Sequence, residues 1–331
     1  MRVGVVGLGV IGRRTVAAVL GDPRLRLRGV AVRSVPAAVS VFPGVRYFAD
    51  DPQVRELLRQ SGAVVAGALA DLLADTDAIV DAGPARSGAS RASAYRVAGV
   101  RVVFCGGERS ADLGPLVHPD LNADAIRDAA VVRLVSCNTT ALSRMIAAFG
   151  PAEVSGVEAT VLRCATDTDK AGKGRADGLL IGAGSSHHGA DLAALRPGLR
   201  AVSAAVTVPM VCGHVIDLRV RCGPPLHELR QRLASRPRIC LREPGESIDT
   251  AVLRAEAGRN GRRWGQRFEL VVRPPADLDP DGRSRWWLAL DNESITVPEL
   301  MDVLGIWSSP DSTDWQPATD ARLGIGPPYA Q

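Results

Sequence analysis

Ser136-Cys137-Asn138-Thr139-Thr140 joins a short apolar run, residues 131–135, to a helical pattern that Gly150 closes. A thiol at such a junction faces free backbone N–H groups and the positive end of the helix dipole, and both favour the thiolate. The same N–H groups, with the Asn138 side chain, can hold an oxyanion. Together they equip the segment for covalent catalysis, with Cys137 as nucleophile and donors aimed at the charge that forms when it attacks a carbonyl. The plainer explanation is a Ser N-cap followed by an incidental cysteine.

Gly7-Leu8-Gly9-Val10-Ile11-Gly12 lies between a strand pattern at 2–6 and a helix pattern at 11–20. In such a GxGxxG the first glycine makes a tight turn and the second admits a pyrophosphate. The third lets helix and strand approach. Phosphates then meet the helix N-terminus, here Val10 and Ile11. The motif predicts a dinucleotide site. The next strand, Leu27–Val32, ends in Arg33-Ser34 where an NAD-selective site carries an acidic residue for the ribose hydroxyl. A guanidinium suits a 2′-phosphate, so NADP is expected ahead of NAD.

Other polar groups have open assignments. Ser185-Ser186-His187-His188-Gly189 reads as a loop whose histidines could meet a phosphate or carbonyl group. His214 opens an apolar alternating strand. No spacing among these histidines and Cys212 matches a zinc pattern, so no metal is expected. Of 40 basic residues all but Lys170 and Lys173 are arginine, and both lie in a Gly-containing polar segment after Arg163, a setting suited to an anion or to a solvated turn.

The elements that would position these groups follow two grammars. Up to about residue 150, short apolar strands alternate with helices, which predicts a doubly wound parallel sheet of Rossmann type. Beyond it the strands lengthen and alternate: 156–163, 201–208, 214–221, 268–272 and 286–290. These predict a second, α+β domain with a mostly antiparallel sheet, then a helix at 297–304 and an irregular tail. The expected division is 1–137 with 298–331, against 138–297. At 331 residues and 46% hydrophobic, with aromatics at 4%, the core must be aliphatic. Net charge is +4 with no polybasic run, which argues against nucleic acid and membrane surfaces. No run reaches a membrane span and the N-terminus opens directly into a strand, so a cytoplasmic protein is expected. Six separated cysteines without a CxxC pair read as free thiols.

In this order the motifs resemble the archaeal-type (class II) phosphorylating glyceraldehyde-3-phosphate dehydrogenases. The carrying segments are Gly7–Arg14, Phe104-Cys105-Gly106-Gly107-Glu108, Leu134–Leu142, Ser186–Asp191, Val208–His214, and Asn292-Glu293-Ser294 through Glu299. The resemblance implies Cys137 as nucleophile, His214 as general base and Asn138 in the catalytic centre. Ser136, Thr139, His187 and His188 would contact substrate, with Lys170 and Lys173 as further anion contacts. Gly107, Arg163 and Asn292 join Gly7, Gly9, Val10, Ile11, Gly12, Arg33 and Ser34 around the cofactor. It implies a homotetramer that uses inorganic phosphate. The segment 162–177 departs from the family pattern, so the chemistry is expected to persist with an altered anionic aldehyde. Two rivals remain: the same thioester chemistry on a non-phosphorylated aldehyde, and a nucleotide sensor without catalysis.

Overall fold

The structure, a computed structural model, describes residues 1–37, 39–166 and 178–326. It divides into two compact units. One comprises 1–119, 123–134 and 299–322, and the other 120–122, 135–298 and the residues from 323 onward.

The first unit is built on eight strands: β1 (Arg2–Val6), β2 (Arg26–Ala31), β3 (Arg46–Phe48), β4 (Val64–Gly67), β5 (Ala78–Asp81), β6 (Arg101–Phe104), β7 (Leu116–Val117) and β8 (Val131–Leu134). They form one sheet in the order β4-β3-β2-β1-β5-β6-β8-β7. Every pairing is parallel. Its central strands are apolar on both faces because helices cover both: Val3, Val5, Ile79, Val80, Val102 and Val103 are fully buried. Full burial of each such side chain contributes about 1.5–3 kcal/mol. Strand order reverses between β1 and β5, and the crevice outside the carboxyl ends of the strands at such a reversal is where doubly wound sheets bind ligands.

The second unit carries β9 (Val154–Cys164), β10 (Leu180–Ile181), β11 (Arg200–Val208), β12 (His214–Cys222), β13 (Ile239–Leu241), β14 (Leu270–Arg273) and β15 (Ser284–Leu290). Their order is β10-β11-β9-β12-β15-β14-β13. Only β11 with β9 and β13 with β14 run parallel, so the sheet is mostly antiparallel. Alternate residues of β9 and β12 turn inward: Val157, Ala159 and Val161 meet Ile216, Leu218 and Val220 in one core. The helix Cys137–Phe149 lies on that core through Leu142, Met145, Ile146 and Phe149. The Phe149 and Trp286 rings are 5.1 Å apart there.

Several elements differ from the sequence expectation. The expected loop at His187 is the helix His187–Leu195. A glycine at 189 weakens the helical pattern but is needed for packing, since a Cβ there would lie 2.8 Å from the Ala201 carbonyl oxygen. The expected irregular tail contains the helix Trp315–Leu323. The strands β3, β7, β10 and β13 are too short to leave a periodic signal. Among the described residues no helix is long and apolar enough to cross a membrane.

Candidate active site

The nucleophile candidate opens a helix of the second unit. Ser136 is the N-cap, in extended backbone (φ −67, ψ 164), and its Oγ accepts from the Thr139 N–H at 3.3 Å. Thr140 N–H closes the first turn onto the Ser136 carbonyl at 2.7 Å. The sequence pattern places this helix at 140–149; it starts one turn earlier, with Cys137 as its first residue.

His214 is brought to Cys137 by a turn that only glycine fits comfortably. Gly213 has φ +75, and a Cβ on it would lie 2.6 Å from Thr250. The Gly213 N–H donates to Asn292 Oδ1 at 3.1 Å, so the Asn292 side chain braces this turn. His214 then begins β12, with Nδ1 3.8 Å from Cys137 Sγ and 2.9 Å from Asn138 Oδ1. Its Nε2 lies 3.3 Å from Cys164 Sγ at the end of β9. The other side of the Asn138 amide, Nδ2, reaches His188 Nε2 at 3.5 Å. His188 Nδ1 is 3.3 Å from both Ser136 Oγ and Thr139 Oγ1. Thr139 Oγ1 in turn donates to Asp191 at 3.2 Å. Cys137, Asn138, Ser136, Thr139, His188 and His214 are thus one connected group. Asn138 bridges the two imidazoles rather than pointing openly at a carbonyl. Arg163 is the antiparallel register partner of His214, and its Nε donates to Thr207 at 3.0 Å.

His187 is the outer member, with Nε2 3.7 Å from Asp191. The ligand atoms of His187, His188 and Asp191 lie within 4.8 Å of one another, a spacing a cation could use, though His188 already engages both nitrogens in hydrogen bonds. Asp191 and Cys164 were missed in the sequence. A signal for Asp191 existed, since it lies one helical turn after His187. Lys170 and Lys173 lie outside the described residues.

Burial pushes the His214 imidazole down to about 3, with the Arg163 charge adding to the effect. His188 is likewise pushed down to about 3 by burial, then by the charges of His187, His214 and Arg163. Both rings are neutral at neutral pH. Unfolded histidines take a proton near 6.5, whereas these take one only near 3. Between those limits the unfolded chain binds more protons, so stability is lost as pH falls from 6.5 toward 3. The slope is about 1.4 kcal/mol per pH unit for each ring. Denaturant midpoints measured from pH 7.5 to 4.5 should fall accordingly, and less steeply in His188→Gln. An identical slope in that variant would remove His188 from the account.

In the first unit the glycine turn has the geometry a dinucleotide needs. Gly7 has φ +88, a Cβ on Gly12 would lie 2.0 Å from the Gly7 carbonyl oxygen, and a Cβ on Gly9 would meet nothing within 4 Å. Val10 begins the helix Val10–Leu20, which presents its free N–H groups beside the turn. Arg33 and Ser34 are exposed on the bend after β2, and Gly107 has φ +76 beyond β6. Across the strand-order reversal, buried Asp81 at the end of β5 accepts from Arg91 Nε at 2.9 Å and Tyr95 Oη at 2.7 Å. Burial and the Asp81 charge raise the Tyr95 phenol well above its ordinary range. This brace on the crevice was not read from sequence.

No family model matches the chain. It is 33% identical over 339 residues to the glyceraldehyde-3-phosphate dehydrogenase of Aeropyrum pernix, covering 98% of each chain. It is 30% identical over 338 residues to that of Metallosphaera sedula, covering 99% of each. The chain belongs to the archaeal-type glyceraldehyde-3-phosphate dehydrogenase family. As a divergent member of that family it is a phosphorylating aldehyde dehydrogenase with a nicotinamide cofactor. The architecture is shared more widely than the family. The crystal structure of aspartate semialdehyde dehydrogenase II from Vibrio cholerae superposes with a TM-score of 0.70 at 14% identity, over 94% of this chain and 99% of that one. At that identity the likeness concerns the fold alone.

Proposed function

We propose that the enzyme interconverts an anionic aldehyde and its acyl phosphate through a thioester on Cys137, with NADP preferred over NAD. The observation that carries this reading is Cys137, first residue of its helix, 3.8 Å from the nitrogen of a buried neutral imidazole. The Cys137 proton passes to His214, and the sulfur adds to the aldehyde carbon. The oxygen that becomes anionic is held by the N–H groups of the helix's first turn. The nicotinamide, when bound, supplies the hydride acceptor that turns this adduct into the thioester. Inorganic phosphate attacks the thioester carbon, and the Cys137–carbon bond breaks to release acyl phosphate. Every step reverses, so the enzyme can also reduce an acyl phosphate.

Among the described residues Arg163 is a cation whose charge acts on both His188 and His214; first expected around the cofactor, it is reassigned to the substrate anion, beside His187, Lys170 and Lys173. His188, being neutral, contributes hydrogen bonds only. Gly7, Gly9, Val10, Ile11, Gly12, Gly107, Arg33 and Ser34 are assigned to the cofactor. The assembly implied by the family is a homotetramer, acting in the cytoplasm.

Arg33 is the residue expected to choose the cofactor. A charge-assisted contact to a 2′-phosphate contributes roughly 1.5–3 kcal/mol. Arg33→Asp should therefore move preference from NADP toward NAD by about tenfold or more. Titration of both cofactors decides it, and tighter NAD binding in the unaltered enzyme would sink the assignment.

The substrate should differ from glyceraldehyde 3-phosphate. The motifs at Gly7–Gly12, Ser136–Thr140 and His187–Gly189 keep the family pattern, whereas 162–177 does not. A site that leaves a buried polar group unpaired loses several decades in kcat/KM on the old substrate. The test is a panel of anionic aldehydes and acyl phosphates, read by NADPH absorbance with and without inorganic phosphate. A kcat/KM on glyceraldehyde 3-phosphate of ~10⁴ M⁻¹s⁻¹ or more would refute the altered substrate. Phosphate-independent turnover would instead favour the non-phosphorylating rival.

A further inference from the structure

We propose that Cys164 is a positioning residue that fixes which nitrogen of His214 carries the proton, and so makes His214 a hydrogen-bond donor to the Cys137 sulfur. The inference rests on Cys137 being the nucleophile, and it deepens the account of that site.

The direction of the hydrogen bonds carries the argument. They begin at Asp191, whose carboxylate accepts from the Thr139 hydroxyl at 3.2 Å. His188 Nδ1 lies 3.3 Å from the Thr139 and Ser136 oxygens and donates to them. Its Nε2 then bears the lone pair and accepts from Asn138 Nδ2 at 3.5 Å. An amide has one donor end and one acceptor end, so the other end of Asn138 is oxygen, and it accepts the Nδ1–H of His214 at 2.9 Å. A neutral imidazole with a proton on Nδ1 has a lone pair on Nε2. The group 3.3 Å from that lone pair is the Cys164 thiol, which donates its S–H. The contacts from Cys164 through His214, Asn138, His188 and Thr139 to Asp191 thus agree on one direction.

The result is a ring whose Nδ1–H also faces Cys137 Sγ at 3.8 Å. This is the tautomer left after Nδ1 has taken the Cys137 proton and Nε2 has released its own to solvent. The charge balances, because the thiolate remains beside a neutral donor. Among the described residues, the titratable and charged groups facing His214 are Cys137 from its helix, Arg163 and Cys164 from β9, and His188 from the helix His187–Leu195. On the β15 side its register partner is apolar Leu290. Burial and the Arg163 charge disfavour an imidazolium, so the ring must serve Cys137 as a neutral donor, and the choice of tautomer matters.

The test uses the intact enzyme labelled with ¹⁵N-histidine, with His214 signals identified by their loss in His214→Gln. The unaltered enzyme should show a protonated Nδ1 and a bare Nε2. Cys164→Ala should shift His214 toward the Nε2–H form. It should also slow iodoacetamide labelling of Cys137 at pH 7 by about tenfold, through a rise of about one unit in the labelling midpoint. Cys164→Ser keeps a donor hydroxyl and should restore both readouts, and it is the variant to read if alanine lowers the thermal midpoint. An unchanged tautomer and labelling profile in folded Cys164→Ala, or a swapped tautomer in folded Cys164→Ser, overturns the proposal. Labelling of a thiol other than Cys137 would instead overturn the reading on which it rests.

Discussion

Turnover disappears when Cys137 is replaced by alanine or serine, while NADP binding stays within a few fold. Cys164, the other thiol beside His214, is buried at the end of β9, and the first-turn N–H groups have no adduct to stabilise without the Cys137 sulfur. Serine keeps the size but not the nucleophile, since its hydroxyl is not ionised at neutral pH. The cofactor turn belongs to the other unit and keeps its own contacts. In the unaltered enzyme one equivalent of iodoacetamide should label Cys137 first. Cys164 and Cys240 are buried, and burial pushes the Cys105 and Cys222 thiols up. Intact-mass spectrometry after a short exposure to substrate should show the acyl adduct on the same residue. Retained activity in Cys137→Ala would end the covalent mechanism.

The second large effect is expected at His214. Loss of a positioned proton-transfer group lowers rates by about 10²–10⁴. His214→Ala should lower kcat/KM by that amount and change KM for the cofactor little. The pH dependence carries a sign that separates this histidine from an exposed one. Because its imidazole is held down to about 3, it is in its working neutral form at every pH from 4 upward. The unaltered enzyme should therefore show no acid limb near pH 6.5 in kcat/KM. A limb there that vanished in His214→Ala would mean that the ring titrates normally in the working enzyme.

Much of this architecture is legible in the residues. The glycine turn, the parallel sheet and the change to longer alternating strands all follow from periods and spacings that local physics imposes. The helix start is legible only to within a turn: the apolar pattern sets it at Thr140, whereas the Ser136 N-cap sets it at Cys137. What escaped was nonlocal or short. Cys164 becomes relevant only because β9 pairs with β12, which sets the end of one strand beside the start of the other. Asp191 matters only once the histidine pair is known to be helical, and Gly189, required for packing on β11, disguised that helix as a loop. The bridging role of Asn138 depends on two histidines 26 positions apart in sequence, His188 and His214, converging on one amide.

The antiparallel pairing of β9 with β12 has a consequence for how such an enzyme can diversify. Arg163 and Cys164 end β9 and β10 begins at Leu180; the sequence between them carries Lys170 and Lys173, which lie outside the described residues. Nucleophile, histidines and brace all lie outside that segment. On the proposed assignments, part of the substrate choice is therefore portable: Lys170 and Lys173 travel with that segment, while Arg163 and His187 stay with the scaffold. A chimaera carrying the 165–179 segment of a glycolytic relative on this scaffold would inherit part of the donor's appetite for its aldehyde and keep the recipient's Cys137, His214 and cofactor turn.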